Sequence, residues 1–447
     1  MSAELAHDQL LRTQRPRIML VSSRRTWPPF PGSHLRASLQ FDALARCGDL
    51  HLVSVLPADA EPDARPPALR HVPVDHIPVR RRGSLAALAR WASPVGRTAP
   101  WASTKLAYDE VGDAIADLVE RHRPDVVWVI DSHLAPALNA MANHIPLVVD
   151  LDDLQDQKIA YSRSAPSAPG PRSLRHRFFR LVERVDGPRW SRVQRALAAR
   201  AVAVLVCSDL DVGRFGHPRV RVVPNGYMDE RAAPPRPPAV PLRNRLLFAG
   251  NLSYRPNIDA LEVLLGEILP VVNRSCPDAR VRVVGRTGPE VEHLVDVPMV
   301  DFVGEVDSMA QELAGAAACV VPLRSGGGTR IKILEAFARR VPVVTTSVGA
   351  EGLAVVDEVH LLCRDEPHEF ADACVRLLRD PDLGVALASA AAAHYEATAT
   401  PNIVRAAVAA VIDEWRSTAR LPSTESGATE SGASESGATG SGSTGPR

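Results

Sequence analysis

Short runs of apolar residues recur along the chain, and longer amphipathic or polar stretches separate them. The runs are continuous rather than alternating, as in Arg17–Ser22, Asp125–Ile130 and Pro146–Leu151. Strands that are buried on both faces have this character, so the pattern predicts parallel sheets covered by helices. A second series of such runs extends from Ala201–Cys207 to Pro342–Thr346. We therefore predict an α/β protein built from two doubly wound domains.

The two series divide the chain into five parts. We predict a flexible lead over residues 1–14, a first domain over 15–195 and a second domain over 196–398. A helix over 399–420 follows, and we expect it to pack back on the first domain. Residues 421–447 repeat ESGAT and ESGAS units, whose small polar side chains bury too little surface to fold, so we predict a disordered tail.

Composition excludes some classes of function. The chain has 447 residues, which is more than one ordinary core holds. Lys+Arg and Asp+Glu both total 52, so no net field draws the protein to nucleic acid. The six cysteines lie far apart without a CxxC pair, which argues against a zinc site and for buried thiols. No signal peptide or membrane-spanning run is evident, and we expect a cytoplasmic protein.

The most informative motif is a glycine loop that leads into a helix. Residues 325–346 are SGGGTRIKILEAFARRVPVVTT, which predicts a loop, a short helix and a buried strand. Gly326, Gly327 and Gly328 lack a Cβ, so a ligand can approach their backbone amides. The amides and the helix N-terminus together favour an anion such as phosphate. A glycine-rich turn without a ligand is the alternative.

The helix after this loop carries its polar residues on one face. Thr329, Arg330 and Lys332 lie beside the loop, and Glu335 follows one turn later. Arginine and lysine suit a diphosphate. A carboxylate one turn away can accept hydrogen bonds from the two hydroxyls of a ribose. The spacing therefore predicts a site for a nucleoside diphosphate.

A second loop of the same domain adds candidates. The stretch GNLSYRPNIDA at 250–260 places Gly250 at the end of a strand and Asn251 and Arg255 in the polar loop after it. In open α/β sheets, ligands bind outside the carboxyl ends of the strands. These residues can face a phosphate or sugar hydroxyls, and helix capping alone is the alternative.

Polar residues also follow two strands of the first domain. His133 comes after one apolar run, and Asp152 and Asp153 end the next. Acids and a histidine in a cleft suit general-base or cation-stabilising roles. The spacing of Asp150 and Asp152 also suits Mg²⁺ or Mn²⁺. Ordinary loop acids and a structural histidine are the alternatives.

Two segments, residues 80–101 and 172–200, are both basic and amphipathic, with arginines interleaved with Leu, Phe and Trp. Such segments can lie on an anionic membrane surface on the cytoplasmic face. Arginines paired with acids on a solvated helix face are an equal alternative.

Together these motifs resemble those of the nucleotide-sugar-dependent glycosyltransferases of the GT-B fold, family 4. The resemblance rests on VPNG at 223–226, FAGNLSYRPNIDAL at 248–261, VVGR at 283–286, VDFVGEV at 300–306 and VPLRSGGGTRIKILEAFARRVPVVTTSVGAEGL at 321–353. It implies two Rossmann-like domains facing a cleft, retention of anomeric configuration, and no metal or other cofactor. The partners it implies are a nucleotide-sugar donor and a glycan or lipid-linked acceptor.

The resemblance also implies roles for individual residues. Glu335 falls on the ribose-binding acid of the family, and Arg330 and Lys332 fall on positions beside the diphosphate. His133 falls near the histidine placed against the donor sugar. Gly32 falls on the first-domain loop that meets the phosphates.

The chain departs from the family pattern at two places. Gly327 stands where many members have a second acid. Asn251 stands where many have an arginine, and Pro256 or Asn257 stands where they have a lysine. The first departure bears on recognition of the donor sugar more than on nucleotide binding. A sugar-nucleotide epimerase of the same fold and a catalytically silent scaffold are the alternatives to a transferase.

Overall fold

Two parallel sheets form the framework of the molecule. The structure is a computed structural model that describes residues 15–27, 32–60, 67–93, 99–141, 144–164, 174–228, 244–327 and 330–418. The first sheet has seven strands: β1 Arg17–Ser22, β2 Asp49–Pro57, β3 Val74–Val79, β4 Val126–Ile130, β5 Leu147–Asp152, β6 Ala203–Val206 and β7 Val220–Val222. Their spatial order is β3-β2-β1-β4-β5-β6-β7, and every pairing is parallel.

Helices connect these strands. They are α1 Gly32–Cys47, α2 Ser84–Ala92, α3 Trp101–Thr104, α4 Gly112–His122, α5 Gln155–Ser164, α6 Leu174–Arg200 and α7 Asp209–Phe215. Neighbouring residues of β1 enter different cores: Ile18 belongs to one apolar cluster, and Met19 belongs to the other. The sheet is therefore buried on both faces, as its continuous apolar strands predict.

The second sheet has six strands in the order β10-β9-β8-β11-β12-β13. They are β8 Arg245–Ala249, β9 Arg280–Val284, β10 Val300–Gly304, β11 Ala318–Val321, β12 Val343–Thr345 and β13 Leu362–Cys363. The helices are α8 Arg255–Val263, α9 Leu269–Ser275, α10 Met309–Ala314, α11 Ile331–Ala338, α12 Ser347–Ala350, α13 Pro367–Arg379, α14 Pro381–Thr398 and α15 Pro401–Thr418. The predicted class, two doubly wound α/β domains, is confirmed.

The first sheet extends further along the chain than the sequence suggested. The strands β6 and β7 pair beside β5, with Val148 opposite Ala203 and Val204 opposite Val220. The predicted boundary at 195/196 is therefore wrong. Because a continuous apolar strand has the same pattern in either sheet, the sequence does not reveal which one it joins.

The C-terminal helix α15 lies against α1 of the first domain. Arg405 Nε on α15 donates a hydrogen bond to Asp42 Oδ2 on α1 over 2.6 Å. The predicted lead over 1–14 and tail over 421–447 lie outside the described residues. Within the described part of the chain, no helix is long and apolar enough to cross a membrane.

Candidate functional site

The predicted site residues lie at the carboxyl ends of parallel strands. In the first domain, His133 follows β4, and Asp152 ends β5. In the second domain, Gly250 follows β8, and Gly327 lies in the loop between β11 and α11. This edge of a doubly wound sheet is where such folds bind ligands.

Glu335 lies on α11, with its carboxylate in a largely buried position. Its Oε1 accepts a hydrogen bond from the Tyr227 hydroxyl at 2.8 Å. Tyr227 is fixed in turn, because its carbonyl accepts a bond from the Tyr395 hydroxyl at 3.0 Å. Burial raises the pKa of Glu335 to about 7, although the bond from Tyr227 opposes this rise. A buried carboxylate with one oxygen committed suits recognition of a neutral hydroxyl pair.

Lys332 lies one turn before Glu335 and reaches back to the end of β8. Its Nζ donates a hydrogen bond to Asn257 Oδ1 at 3.0 Å and lies 5.4 Å from the centre of the Phe248 ring. A Cβ at Gly250 would lie 3.1 Å from the same Nζ. Burial lowers the pKa of Lys332 to about 8. This ammonium therefore lies where the polar loop after β8 begins, beside a glycine that leaves the backbone accessible.

Arg330 closes the glycine loop. Its guanidinium donates to the carbonyl of Gly327 and, at 3.4 Å, to the carbonyl of Val348. Gly326 has a φ of 125°, a conformation that favours glycine. Gly328 and Thr329 lie outside the described residues. The described part of the loop and Arg330 thus form one unit at the start of α11.

Three further predicted residues are only partly connected with this cluster. Arg255 has a 64% exposed side chain, and its guanidinium pairs with Glu262 at 3.8 Å. The Asn251 side chain accepts hydrogen bonds from the backbone N–H and the hydroxyl of Ser253, which form a turn within the loop. This is not helix capping, because the N-cap residue of α8 is Tyr254, which makes no side-chain capping bond. Gly32 is the first residue of α1, after a loop that is not described.

His133 belongs to a hydrogen-bonded group in the first domain. Its Nδ1 lies 2.5 Å from Asp131 Oδ1, and its ring meets Trp190 edge-on at 4.7 Å between centroids. Asp131 also receives a bond from Ser23 Oγ at 2.9 Å and lies 3.4 Å from Arg24 Nε. Burial alone would raise the pKa of Asp131, but His133 and Arg24 hold it well below the usual range.

Asp150 is committed to a buried ion pair. Its two oxygens accept from Arg36 at 2.7 and 2.8 Å and from Gln40 at 2.6 Å. Arg36 also donates to the Val223 carbonyl and to Asn225 Oδ1, which ties β5 to the turn after β7. The cation partner of Asp150 is therefore an arginine, which disfavours the predicted alternative of a magnesium pair with Asp152.

Asp152 and Asp153 are neighbours with opposite electrostatic environments. Burial and the charge of Asp153 raise the pKa of Asp152 to about 6. Burial would also raise the pKa of Asp153, but the ammonium of Lys158 in direct contact with it lowers that pKa below its ordinary value. Asp152, Asp153 and Cys207 offer three atoms within 4.8 Å of one another, and Lys158 already places a positive charge there. Two coupled carboxyls with separated pKa values are typical of acid–base chemistry.

The described arginines of residues 80–101 are paired with acids: Arg80 with Glu110, Arg81 with Asp59, and Arg82 and Arg90 with Asp109. Arg97 lies outside the described residues. In the second segment, Arg180 pairs with Glu183 and Arg189 with Asp186. The pairing favours the solvated-face alternative for these arginines. Large apolar side chains nevertheless remain exposed here, namely Leu85 at 83%, Leu181 at 53% and Phe179 at 40%.

The structure brings three further residues into the site that the sequence did not predict: Tyr227, Arg36 and Lys158. Tyr227 follows the VPNG turn directly, so the turn was a local signal for it. Arg36 and Lys158 lie on helices next to predicted strand ends. Their partners are set by tertiary contacts and not by local spacing.

Comparison with known proteins adds an independent finding. Residues 243–380 match the family model described as glycosyl transferases group 1. An uncharacterized 44.6 kDa protein in the cps region of Klebsiella pneumoniae is 26% identical over 135 residues. That match covers 28% of this chain and spans 35% of the Klebsiella protein.

Solved structures with the same architecture cover most of the chain. Sucrose-phosphate synthase from Thermosynechococcus elongatus has a TM-score of 0.65 at 16% identity, over 90% of this chain and 100% of its own. Trehalose 6-phosphate synthase from Burkholderia multivorans has a TM-score of 0.60 at 14% identity, over 90% and 100%. Anabaena HepE, solved in complex with UDP, has a TM-score of 0.59 at 17% identity, over 89% and 100%. At these identities the likeness concerns the fold.

Proposed function

Because residues 243–380 match the model of the glycosyl transferases group 1 family and the chain has the GT-B fold, we propose that this protein is a glycosyltransferase. It transfers a sugar from a nucleoside-diphosphate sugar to a hydroxyl group of a glycan or lipid-linked acceptor. Anabaena HepE, which shares the fold, was solved with UDP and with UDP-glucose.

One observation carries the proposal. The ammonium of Lys332 and the carboxylate of Glu335 lie one turn apart on α11, at the carboxyl edge of the second sheet. The glycine loop and Arg330 precede them. A diphosphate at the loop and Lys332 would place its ribose one turn down the helix, at Glu335.

The chemistry requires that a diphosphate leaves the anomeric carbon. Positive charge from Lys332 and Arg330 would stabilise the negative charge that grows on this leaving group. No resident metal ion is part of the proposal, because these two cations supply the charge. Retention of configuration belongs to the proposal as well, on the strength of the sequence resemblance.

The acceptor side is assigned to the first domain. A cleft beside His133 is lined by Ser23, Arg24, His34 and Tyr108. Either Asp152 or the leaving phosphate would take the proton of the acceptor hydroxyl. With its pKa raised to about 6, Asp152 is a stronger base than an ordinary carboxylate and is still ionised at neutral pH.

We further place the protein in the cytoplasm, with a peripheral contact to anionic membrane. The exposed Leu85, Phe179 and Leu181 support this contact. The positive charge would come from exposed arginines other than the acid-paired ones, such as Arg184 and Arg192. Co-sedimentation with vesicles of anionic and of neutral lipid tests it: binding to the anionic vesicles alone is expected, and equal absence from both would contradict it.

The nucleotide site is tested by thermal unfolding with UDP, GDP, ADP, dTDP and CMP, each alone and as a sugar conjugate. A ligand at a hundred times its dissociation constant adds about 2.7 kcal/mol of stability. We expect the nucleotides of one base to raise the Tm of the wild type and to leave the Tm of Glu335→Ala unchanged. Absence of any shift would point to the silent scaffold instead. Product analysis with the stabilising sugar nucleotide separates transfer from epimerisation.

A further inference from the structure

A lysine of the first domain lies against the glycine loop of the second. Lys158 is on α5, and its ammonium contacts Asp153 Oδ2 at the end of β5. The side chain is 27% exposed, so most of its length is enclosed. Its hydrocarbon chain passes over Gly327, which belongs to the loop between β11 and α11.

The geometry at Gly327 leaves no room for a side chain. A Cβ added there would lie 2.3 Å from Lys158 Cγ, 3.1 Å from its Cε and 3.3 Å from its Cδ. A Cβ atom essentially never lies within 3.0 Å of a heavy atom to which it is not bonded. The lysine chain therefore occupies the volume that any residue other than glycine would need at position 327.

The clash cannot be relieved at the flexible tip of the lysine. The nearest atom is Cγ, close to the backbone of α5, so relief requires rotation of the whole side chain. That rotation takes the ammonium away from Asp153, which is only 9% exposed. Separation of a buried carboxylate from its cation strongly destabilises the folded protein, because it leaves a buried charge without a partner. The ion pair thus fixes the lysine, and the lysine in turn restricts position 327 to glycine.

Charged groups of both domains around Asp153 support the same arrangement. Burial would lower the pKa of Lys158, but Asp153 and Asp152 raise it above the ordinary value. Arg330, whose guanidinium donates to the Gly327 carbonyl, lies near enough to lower the pKa of Asp153 as well. Asp153 is thus held ionised between a cation of its own domain and a cation of the other.

We propose that Lys158 is a positioning residue that docks the glycine loop of the second domain onto Asp153 of the first, and that position 327 is glycine in order to receive it. The absence of an acid at 327 is then a structural requirement of this contact. It does not indicate that the site has lost its function.

The consequence for nucleotide binding rests on the proposed function. If the glycine loop receives the diphosphate, the docked lysine holds that loop in place before the ligand arrives. Loss of the contact would then weaken affinity for the nucleoside diphosphate. The contact itself exists without ligand, so it can be tested separately from the reaction.

The experiment is a double-mutant cycle of Lys158→Ala, Gly327→Ala and the double variant, in the full-length protein. Hydrogen–deuterium exchange of residues 321–327 without nucleotide reports the docking of the loop. Calorimetry with whichever of UDP, GDP, ADP or dTDP stabilises the wild type reports the consequence for binding. Gly266→Ala is the matched control, since nothing lies within 4 Å of a Cβ at that glycine.

We expect each single substitution to speed exchange of the loop about tenfold and to weaken nucleotide binding about tenfold. The double variant should differ from Lys158→Ala by less than about twofold in both exchange rate and nucleotide affinity, because the clash disappears when the lysine is removed. In Lys158→Ala the Tm should also fall relative to the wild type as the pH rises above the ordinary pKa of an aspartate, because Asp153 must then ionise without its partner.

The proposal would be overturned if the effects of the two substitutions on loop exchange and on nucleotide affinity multiplied in the double variant. It would also be overturned if Gly327→Ala had the same exchange rate and affinity as Gly266→Ala. If the effects of the two substitutions on loop exchange do not multiply but no nucleotide binds, the docking contact is upheld and the proposed function is refuted instead.

Discussion

Replacing Glu335 with glutamine should stabilise the ligand-free protein at high pH. Burial raises the pKa of this carboxyl from the ordinary 4.5 to about 7, which corresponds to ~3 kcal/mol between its two protonation states. An acid with a raised folded pKa binds more protons in the folded than in the unfolded state. Stability therefore falls as pH rises from about 4.5 to 7 and is constant above that range.

Glutamine keeps an oxygen for the Tyr227 hydroxyl and has no charge to desolvate. The gain over the wild type should be under about 1 kcal/mol at pH 5 and should approach ~3 kcal/mol at pH 8, as an upper value. Urea unfolding at the two pH values measures it, with the exposed Glu120→Gln on α4 as control. Nucleotide affinity should fall in the same variant, because a carboxylate suited to a ribose has been lost.

An equal gain at pH 5 and pH 8 would refute this account of Glu335. So would a loss of stability at both pH values, since it would mean that the charged carboxylate is favourable where it lies.

Three further predictions concern charged groups. Lys332→Met should weaken nucleoside-diphosphate binding at least tenfold in calorimetry, whereas Arg255→Met should change it less than twofold, because Arg255 is exposed and pairs with Glu262. Arg36→Met should destabilise the protein by about 3–5 kcal/mol in urea unfolding, since it leaves Asp150 buried without its cation; a change under about 1 kcal/mol would contradict the buried ion pair. If Asp152 takes the acceptor proton, kcat/KM should fall as pH drops below about 6, and Asp152→Asn should abolish that dependence.

The sequence was sufficient to predict the class of fold and the polar face of α11 in the candidate site. Continuous apolar strands predict parallel sheets because burial on both faces removes the polar positions. The helical period alone places Lys332 and Glu335 one turn apart on α11, and the structure has them there. These inferences need only local geometry.

The remainder depends on contacts between distant parts of the chain. Tyr227 reaches Glu335 from 108 residues away, and Arg36 reaches Asp150 from 114 residues away. No local period encodes such pairs. For the same reason the sequence pattern predicts β6 and β7 in the wrong sheet, because the pattern of a strand indicates its burial and not its neighbours.

Gly327 shows how a departure from a family pattern can be interpreted from structure. In the sequence it appeared as a missing acid in the donor site. In the structure it lies under the side chain of Lys158, where no Cβ fits. The sequence contains both residues, but their proximity depends on how the two domains meet.

The central claim is that a nucleoside diphosphate binds along α11, with its ribose at Glu335. Calorimetric titration of the wild type, Glu335→Ala and Glu120→Ala with the stabilising nucleoside diphosphate tests this most directly. The account predicts one binding site per chain, affinity at least tenfold weaker in Glu335→Ala, and unchanged affinity in Glu120→Ala. Equal affinity in all three proteins, or no binding by the wild type, would contradict it.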